Sequence, residues 1–221
     1  MELVEAIQKR RSIRKFLDKE VPREWIEEII AQALWAPSWG NTQPWEVIAA
    51  TGSVLEVFKK KNRDAVFEGA ESKTDIPIPK EWPDTLMNRY KDVGKSVLSS
   101  LGIGRGDKQA RIDYYGQMNY LFDAQVLLLF VANEKLNTEY TTLDCGLFIQ
   151  NICLLAEERG LGTCLLAASI MYPEIAHDLF SIPKDKRLII GMGVGWPDRE
   201  AEVNKFQRKR GELGEFLSWA K

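Results

Sequence analysis

A run of basic residues near the N-terminus carries the strongest chemical signal in this sequence. Residues 9–16 read KRRSIRKF, so that five cations and one serine occupy seven successive positions. Charges of one sign at this density repel one another unless water or an anion lies between them. The planar fork of arginine binds a phosphate bidentately, and a serine hydroxyl can donate to a further oxygen of the same group. The run predicts a phosphate site, with a solvated charged surface as the alternative.

A second basic cluster lies near the C-terminus, where residues 205–210 read KFQRKR. The two ends of a domain often lie close together, so both clusters could face one anion. The whole chain carries a net charge of −2 and has a pI of about 5.7. A protein that coats nucleic acid or an anionic membrane is usually basic overall. The local clusters therefore favour a small anionic ligand, and nucleic acid and membranes are not expected as partners.

A third stretch, APSWGNTQPW at residues 36–45, combines turn residues with two tryptophans and two amides. The side chains of Asn41 and Gln43 each offer both a donor and an acceptor. That combination suits a heterocycle whose edge alternates C=O and N–H groups. The alternative is an ordinary loop between a helix and a strand.

Several familiar catalytic sites are not supported. GIGRGD (102–107) follows a helix, and GMGVGWPD (191–198) precedes no phosphate-binding helix, so neither meets the context of a Rossmann fingerprint. The single histidine, His177, has no serine or cysteine nucleophile motif beside it and reads as a surface or capping residue. No metal site and no catalytic side chain is predicted, so if the protein is an enzyme, a cofactor is expected to carry the chemistry.

The sequence also bears on location. Its longest apolar run, residues 126–132, is far shorter than the roughly 20 residues needed to span a bilayer, and the N-terminus does not resemble a signal peptide. Cys145, Cys153 and Cys164 match no zinc or redox motif and read as buried thiols. A cytoplasmic protein is expected.

Alternating helices and strands must position these motifs. Helical spacing predicts helices at residues 2–11, from 22 to the Ala36-Pro37 step, 53–65, 84–101, 107–120, 143–159 and 173–181. A strand is predicted at residues 45–50, and buried strands are predicted at residues 126–132, 163–168 and 187–194. Ser53 and Glu56 predict a capping box. Residues 67–84 contain three prolines and predict a long loop of the kind that forms lids or binding elements.

The motifs together resemble the nitroreductase family. RRSIRKF, APSWGNTQPW, GLGTCLLAA (160–168), GVGWPD (193–198) and RKRGELGEF (208–216) follow that family's order and spacing. The resemblance implies an α+β, three-layer nitroreductase-like fold, with a mixed central sheet flanked by helices, in an intertwined homodimer. It implies one FMN-binding domain over residues 1–221, with a lengthened lid-like segment at about 60–120 and a C-terminal dimer arm at about 200–221.

The resemblance also implies an activity. Family members bind FMN and transfer a hydride from NADH or NADPH through the flavin N5 to a small acceptor, such as a nitroaromatic compound or a quinone, in a ping-pong sequence. Relatives that perform reductive dehalogenation or flavin destruction are the alternative, as is a flavin-binding module without turnover.

The family's cofactor contacts carry over by position. Arg10, Arg11, Ser12 and Arg14 match the phosphate and ribityl site, which Arg208 and Arg210 close from the C-terminal side. Pro37, Ser38, Trp39, Asn41 and Gln43 match the loop that reaches the flavin from the other subunit. Ala167 and Ala168 match backbone positions facing N5, where many members carry an acidic residue and a glycine. Gln117 falls near a polar flavin-contacting position, with Asn119 as its alternative.

Overall fold

The computed structural model describes residues 1–220 and alternates helices with strands. Its α-helices are α1 (Leu3–Lys9), α2 (Arg23–Ala33), α3 (Gly52–Phe67), α4 (Asp84–Ser100), α5 (Lys108–Asn119), α6 (Thr138–Glu158), α7 (Pro173–Phe180) and α8 (Glu202–Lys205). Its strands are β1 (Glu46–Thr51), β2 (Val126–Asn133), β3 (Gly162–Leu166) and β4 (Lys186–Gly195). Short 3₁₀ turns cover Trp39–Asn41, Leu121–Asp123, Ala167–Ile170 and Leu213–Glu215.

The four strands form one sheet in the order β1-β2-β4-β3. Every neighbouring pair in it is antiparallel. The predicted mixed sheet is therefore corrected to an antiparallel one within residues 1–220. Among the described residues, an isolated bridge between Ser12 and Thr163 of β3 is parallel.

The central strand β2 explains the three layers. Its residues are buried on both faces, as predicted for VLLLFVA. Leu128 and Phe130 face a core shared with α2 and α6, whereas Leu127 and Leu129 face a core shared with α3 and α7. Successive strand residues point to opposite faces, so one apolar run supplies both cores. The predicted α+β, three-layer arrangement is confirmed.

The glycines of GMGVG lie inside β4, where they allow close packing. Gly191, Gly193 and Gly195 alternate with larger residues and so share one face of the strand. A Cβ atom at Gly191 would lie 2.1 Å from Ser169 Oγ, and one at Gly195 would lie 2.9 Å from Phe16 Cδ1. These glycines serve packing inside a strand, in agreement with the rejection of a dinucleotide fingerprint there.

Several element boundaries differ from the predictions. The predicted capping box is wrong, because α3 begins at Gly52 and the Glu56 carboxylate instead accepts from Lys59 Nζ at 2.7 Å and the Tyr120 hydroxyl at 2.8 Å. Helix α6 begins earlier than predicted, since Asn137 caps it by accepting from the Tyr140 N–H. The strand predicted at 163–168 ends at Leu166 and continues as a 3₁₀ turn.

The lengthened middle segment contains α4, α5 and the predicted proline-rich loop. The loop is attached to the sheet, because the Leu188 N–H donates to Asp75 Oδ2 at 2.7 Å. Its lid role stays a prediction. The predicted dimer arm reaches Lys221, which lies outside the described residues.

Two further predictions concern membrane spans and cysteines. Within residues 1–220, no helix is long and apolar enough to cross a membrane. All three cysteines are buried and free, as their reading as buried thiols predicts.

Candidate functional site

The two basic clusters meet at one place on the surface. Arg11 Nη2 donates to the Phe206 carbonyl at 2.7 Å, and its guanidinium lies 5.0 Å from the centre of the Phe206 ring. From the other side, the Arg208 guanidinium donates to the carbonyls of Gln8 and Arg10. The chain ends therefore lie together, and they bring Arg10, Arg11, Ser12, Arg14, Arg208 and Arg210 around one cavity.

The N-terminal cluster is extended because it pairs with the edge of the sheet. Helix α1 ends at Lys9, and the Ile13 N–H then donates to the Thr163 carbonyl at 2.9 Å. Ile13 is buried against Gly162, where a Cβ atom would approach Ile13 Cγ1 to 2.5 Å. Ile13 thus turns inward and anchors the segment, while charged neighbours on either side remain part-exposed.

Asn204 joins the two clusters, and the sequence offered no signal for it. Its buried side chain accepts from the Arg14 N–H at 2.8 Å and donates to the carbonyls of Lys15 and Asp198, each at 2.8 Å. A single asparagine near a charged tail forms no recognisable motif. Only the fold shows that Asn204 sets the backbone position of the cluster.

The clustered arginines have no ion-pair partner in the described part of the chain. Among residues 1–220, no carboxylate lies within ion-pair distance of Arg10, Arg11, Arg14, Arg208 or Arg210. The Nε atoms of Arg10 and Arg11 are buried there without an acceptor. Burial and neighbouring arginines lower the pKa of Arg11 and of Arg208. A bound anion would supply the missing acceptors and offset the mutual repulsion.

The cavity beside these arginines has a volume of about 760 Å³. Such a volume is typical of sites for small molecules and cofactors. The two basic clusters and Ser12 line this cavity together with polar residues of α4. Tyr114 of α5 lies next to Arg14, and burial raises the pKa of its hydroxyl. The site thus presents fixed cationic donors to an anion and has room for a larger group attached to it.

The loop that contains Pro37, Ser38, Trp39, Asn41 and Gln43 lies over α6. The Trp39 N–H donates to both oxygens of buried Asp144, at 3.1 and 3.2 Å, and the Gln43 N–H donates to Ser38 Oγ at 2.9 Å. Gly40, Asn41 and Gln43 have positive φ. Within residues 1–220, none of its hydrogen bonds joins it to the basic clusters.

The Ala167–Ala168 segment is held by a buried amide. Asn62 is completely buried and donates to the carbonyls of Asn119 at 2.7 Å and Ala168 at 3.1 Å. Ala167 is exposed and Ala168 is buried. The structure connects Asn119 to this segment, whereas Gln117 is exposed on α5. Sequence reasoning missed Asn62, which lies in a charged helix without a distinguishing pattern.

The side chain of His177 lies within hydrogen-bond distance of the backbone. One of its ring nitrogens, Nδ1, lies 2.9 Å from the Ile182 carbonyl, just beyond the end of α7. Within the described residues, no group of three or more His, Cys, Asp or Glu side chains could hold a metal ion.

Comparisons with known proteins give one consistent picture. The model of the nitroreductase family matches residues 7–196. Chloronitrobenzene nitroreductase of Comamonas testosteroni is 34% identical over 221 residues, covering 96% of this chain and 94% of its own. Iodotyrosine deiodinase 1 of Mus musculus is 28% identical, covering 94% of this chain and 66% of its own.

A solved structure has the same fold as this chain. The FMN and NADPH-dependent nitroreductase NfnB from sphigopyxis sp. strain HMH superposes with a TM-score of 0.96. It is 30% identical, and the match covers 100% of both chains.

Proposed function

This chain belongs to the nitroreductase family, and from that premise we propose that it is an FMN-dependent oxidoreductase that reduces nitroaromatic compounds. NADPH or NADH is the electron donor, and quinones are further candidate acceptors. The similarity to chloronitrobenzene nitroreductase supports the substrate class. The similarity to the FMN and NADPH-dependent nitroreductase NfnB supports the cofactor and NADPH as the donor.

The observation that carries this proposal is the meeting of the two basic clusters. Arginines from both ends of the chain surround one cavity without a carboxylate partner in the described residues. The buried Nε atoms of Arg10 and Arg11 lack acceptors, and a phosphate brings several. The residues present therefore fit the phosphate end of FMN. Arg10, Arg11, Ser12, Arg14, Arg208 and Arg210 would hold it.

The rest of the flavin would be oriented by amides and backbone groups. The Ala167–Ala168 backbone would face the flavin edge, held in place by Asn62. Asn41 and Gln43 would reach the ring from a second subunit, together with Pro37, Ser38 and Trp39. When bound, FMN supplies the redox chemistry, in which a hydride from the nicotinamide is taken up at N5 and passed on to the acceptor. No side chain of this chain is assigned as a general acid or base.

We further propose a homodimer, which the exposed apolar surface supports. Tyr140, Leu143 and Leu147 lie one turn apart on α6 and are exposed. Trp35 and Trp39, in the adjacent connection, are 90% and 59% exposed. Apolar side chains gathered in this way mark an interaction surface. A second copy of the chain would cover them and would bring its own 36–45 loop toward the cavity. The C-terminal arm, whose Phe216 and Trp219 are exposed, would extend that contact.

Reductive dehalogenation is the second candidate, and the similarity to iodotyrosine deiodinase 1 favours it. The lengthened segment at 60–120 would then act as a substrate lid. A panel of nitroaromatic, quinone and haloaromatic substrates, analysed for products, separates the two activities. The three free cysteines support a location in the cytoplasm.

The first experiment is an absorption spectrum of the desalted protein before and after anaerobic addition of NADPH and, separately, NADH. We expect a flavin spectrum that bleaches with at least one nucleotide and recovers when a nitroaromatic compound is added. A colourless protein that takes up no FMN would contradict the proposal. Bound FMN that neither nucleotide reduces would favour a flavin-binding module without turnover.

A further inference from the structure

Helix α4 lines the same cavity as the arginines, and it does so largely with polar side chains. Asp92, Lys95, Ser96 and Ser99 all line the cavity. They follow the three- and four-residue spacing of one side of a helix. This helix belongs to the lengthened middle segment, for which the sequence predicted a lid. Its contribution to the lining of the phosphate site indicates a role toward the cofactor.

The helix is attached to the C-terminal tail that follows the second basic cluster. Arg89 Nη2 lies 2.5 Å from Glu215 Oε2, and the Arg89 guanidinium lies 5.2 Å from the centre of the Phe216 ring. A Cβ atom at Gly211 would lie 2.8 Å from Arg89 Nη2, so glycine permits this close approach. The tail and α4 therefore form one wall of the cavity.

Two side chains on this wall are free to bind an anion. In residues 1–220, Lys95 has no carboxylate within ion-pair distance and Ser99 makes no side-chain hydrogen bond. Ser96 differs, because its hydroxyl donates to the Asp92 carbonyl at 2.9 Å within the helix. Lys95 offers a mobile ammonium group and Ser99 offers one hydroxyl donor.

We propose that Lys95 and Ser99 bind the phosphate of FMN together with the arginines that line the same cavity, so that α4 closes the cofactor site. The inference rests on the proposed function and adds two ligands to it. The ion pair between Arg89 and Glu215 holds α4 against the C-terminal tail. The phosphate is then enclosed between the two basic clusters and α4. FMN release then requires α4 to move away. The segment thereby controls how long the cofactor stays bound.

The test is the release of FMN from the full-length holoprotein. Free flavin fluoresces more strongly than flavin quenched in a protein, so dilution of the holoprotein reports both the dissociation rate and the Kd. We expect Lys95→Ala to raise the Kd for FMN about tenfold, as the loss of one charge-assisted contact does. Ser99→Ala should raise it by a smaller factor. Riboflavin, which lacks the phosphate, should bind both variants as it binds the unaltered protein.

The matched control is Lys91→Ala. Lys91 is exposed on the same helix one turn earlier and does not line the cavity. Lys91→Ala removes the same charge from the same helix but alters no residue that lines the cavity. Its Kd for FMN should therefore stay within twofold of the Kd of the unaltered protein. Circular dichroism melts of all variants establish that each is folded at the assay temperature.

The possible outcomes separate the inference from the function on which it rests. Loss of FMN affinity in Lys95→Ala, with riboflavin and Lys91→Ala unchanged, supports the inference. FMN affinity unchanged in both Lys95→Ala and Ser99→Ala overturns it while leaving the FMN site intact. Equal loss of FMN and riboflavin affinity also overturns it, because the effect is then not on the phosphate. If the unaltered protein binds no FMN, the proposed function itself has failed.

Discussion

Asn204 Oδ1 accepts a hydrogen bond from the backbone N–H of Arg14 at 2.8 Å. The two residues are 190 positions apart in the chain, and the amide of Asn204 is buried with its nitrogen bonded to two further carbonyls. This contact holds the C-terminal segment against the N-terminal cluster. Without it, mutual repulsion between the clusters would favour their separation.

Replacing Asn204 should therefore affect both stability and cofactor binding. We expect Asn204→Ala to lower the free energy of unfolding by about 1–3 kcal/mol, because it removes three part-buried hydrogen bonds to the backbone. The Kd for FMN should rise as the clusters lose their alignment. Urea denaturation and flavin fluorescence measure the two effects. Asn204→Asp retains the acceptor for Arg14 but loses both donors. If Asn204→Ala lowers stability without changing the Kd, Asn204 has no role in positioning the cluster.

Removing one arginine from each cluster should release the cofactor. We expect Arg10→Ala combined with Arg208→Ala to yield protein without flavin, because each charge-assisted contact contributes about 1.5–3 kcal/mol. The flavin-to-protein absorbance ratio after desalting measures this loss. Arg23→Ala combined with Arg105→Ala removes the same charge at two exposed positions away from the cavity and should keep its flavin. Stoichiometric flavin in the first double variant would show that the phosphate lies elsewhere.

A methyl group at Gly191 should destabilise the sheet. Its Cβ would lie 2.1 Å from Ser169 Oγ and 3.0 Å from Leu129 Cδ2. We expect Gly191→Ala to lower the free energy of unfolding by about 1–3 kcal/mol, as overpacking in a core does. Gly94→Ala, inside α4 with nothing within 4 Å of the added atom, should instead raise it by up to about 1 kcal/mol. Denaturant melts compare the two, and equal effects would mean that the close packing around Gly191 is not a constraint.

Asp144 should keep the loop at residues 36–45 ordered. Both of its carboxylate oxygens accept from the Trp39 N–H. We expect Asp144→Ala to speed hydrogen exchange at the Trp39 amide by about tenfold or more, since one buried hydrogen bond is lost. Asp144→Asn retains one acceptor and should show a smaller change. Unchanged exchange in Asp144→Ala would assign the order of the loop to its ring contact with Tyr140 instead.

The buried thiols predict a loss of stability at high pH. Burial raises the pKa of Cys164 to about 11, whereas an unfolded thiol titrates near about 8.5. The folded state therefore keeps the proton longer than the unfolded state does. The contribution of the protonated Cys164 thiol to the free energy of unfolding is fully present below the pKa of the unfolded state. It is lost as the pH rises from there through the pKa of the folded state.

Urea denaturation of the unaltered protein and of Cys164→Ala between pH 8 and pH 10.5 measures this effect. The stability of the unaltered protein should fall more steeply with pH than that of the variant. Parallel pH profiles would contradict the shift. A thiol reagent at pH 8 should react with the three buried cysteines only after denaturant is added.

The turn before β2 shows what local sequence does not predict. Leu121, Phe122 and Asp123 all have positive φ, although the left-handed region costs a bulky residue about 1–2 kcal/mol. The side chains of Leu121 and Phe122 are buried in the core next to β4, where Gly193 leaves room for Ala124. Core burial outweighs the local preference, and that burial exists only once β4 has paired with β2. A prediction from neighbouring residues alone therefore fails at this turn.

By itself, the sequence determined the elements whose signals are local and periodic. The apolar run of β2, the spacing of α2 and the order of the motifs were enough to place those two elements and to identify the family. Tertiary structure alone decided which distant residues meet. Asn204 reaches Arg14, Asn62 reaches Ala168, and α4 lines the same cavity as the arginines, because the sheet brings together segments that are far apart in the chain. A lone polar residue carries no periodic signal, so its partner becomes known only when the chain has folded around it.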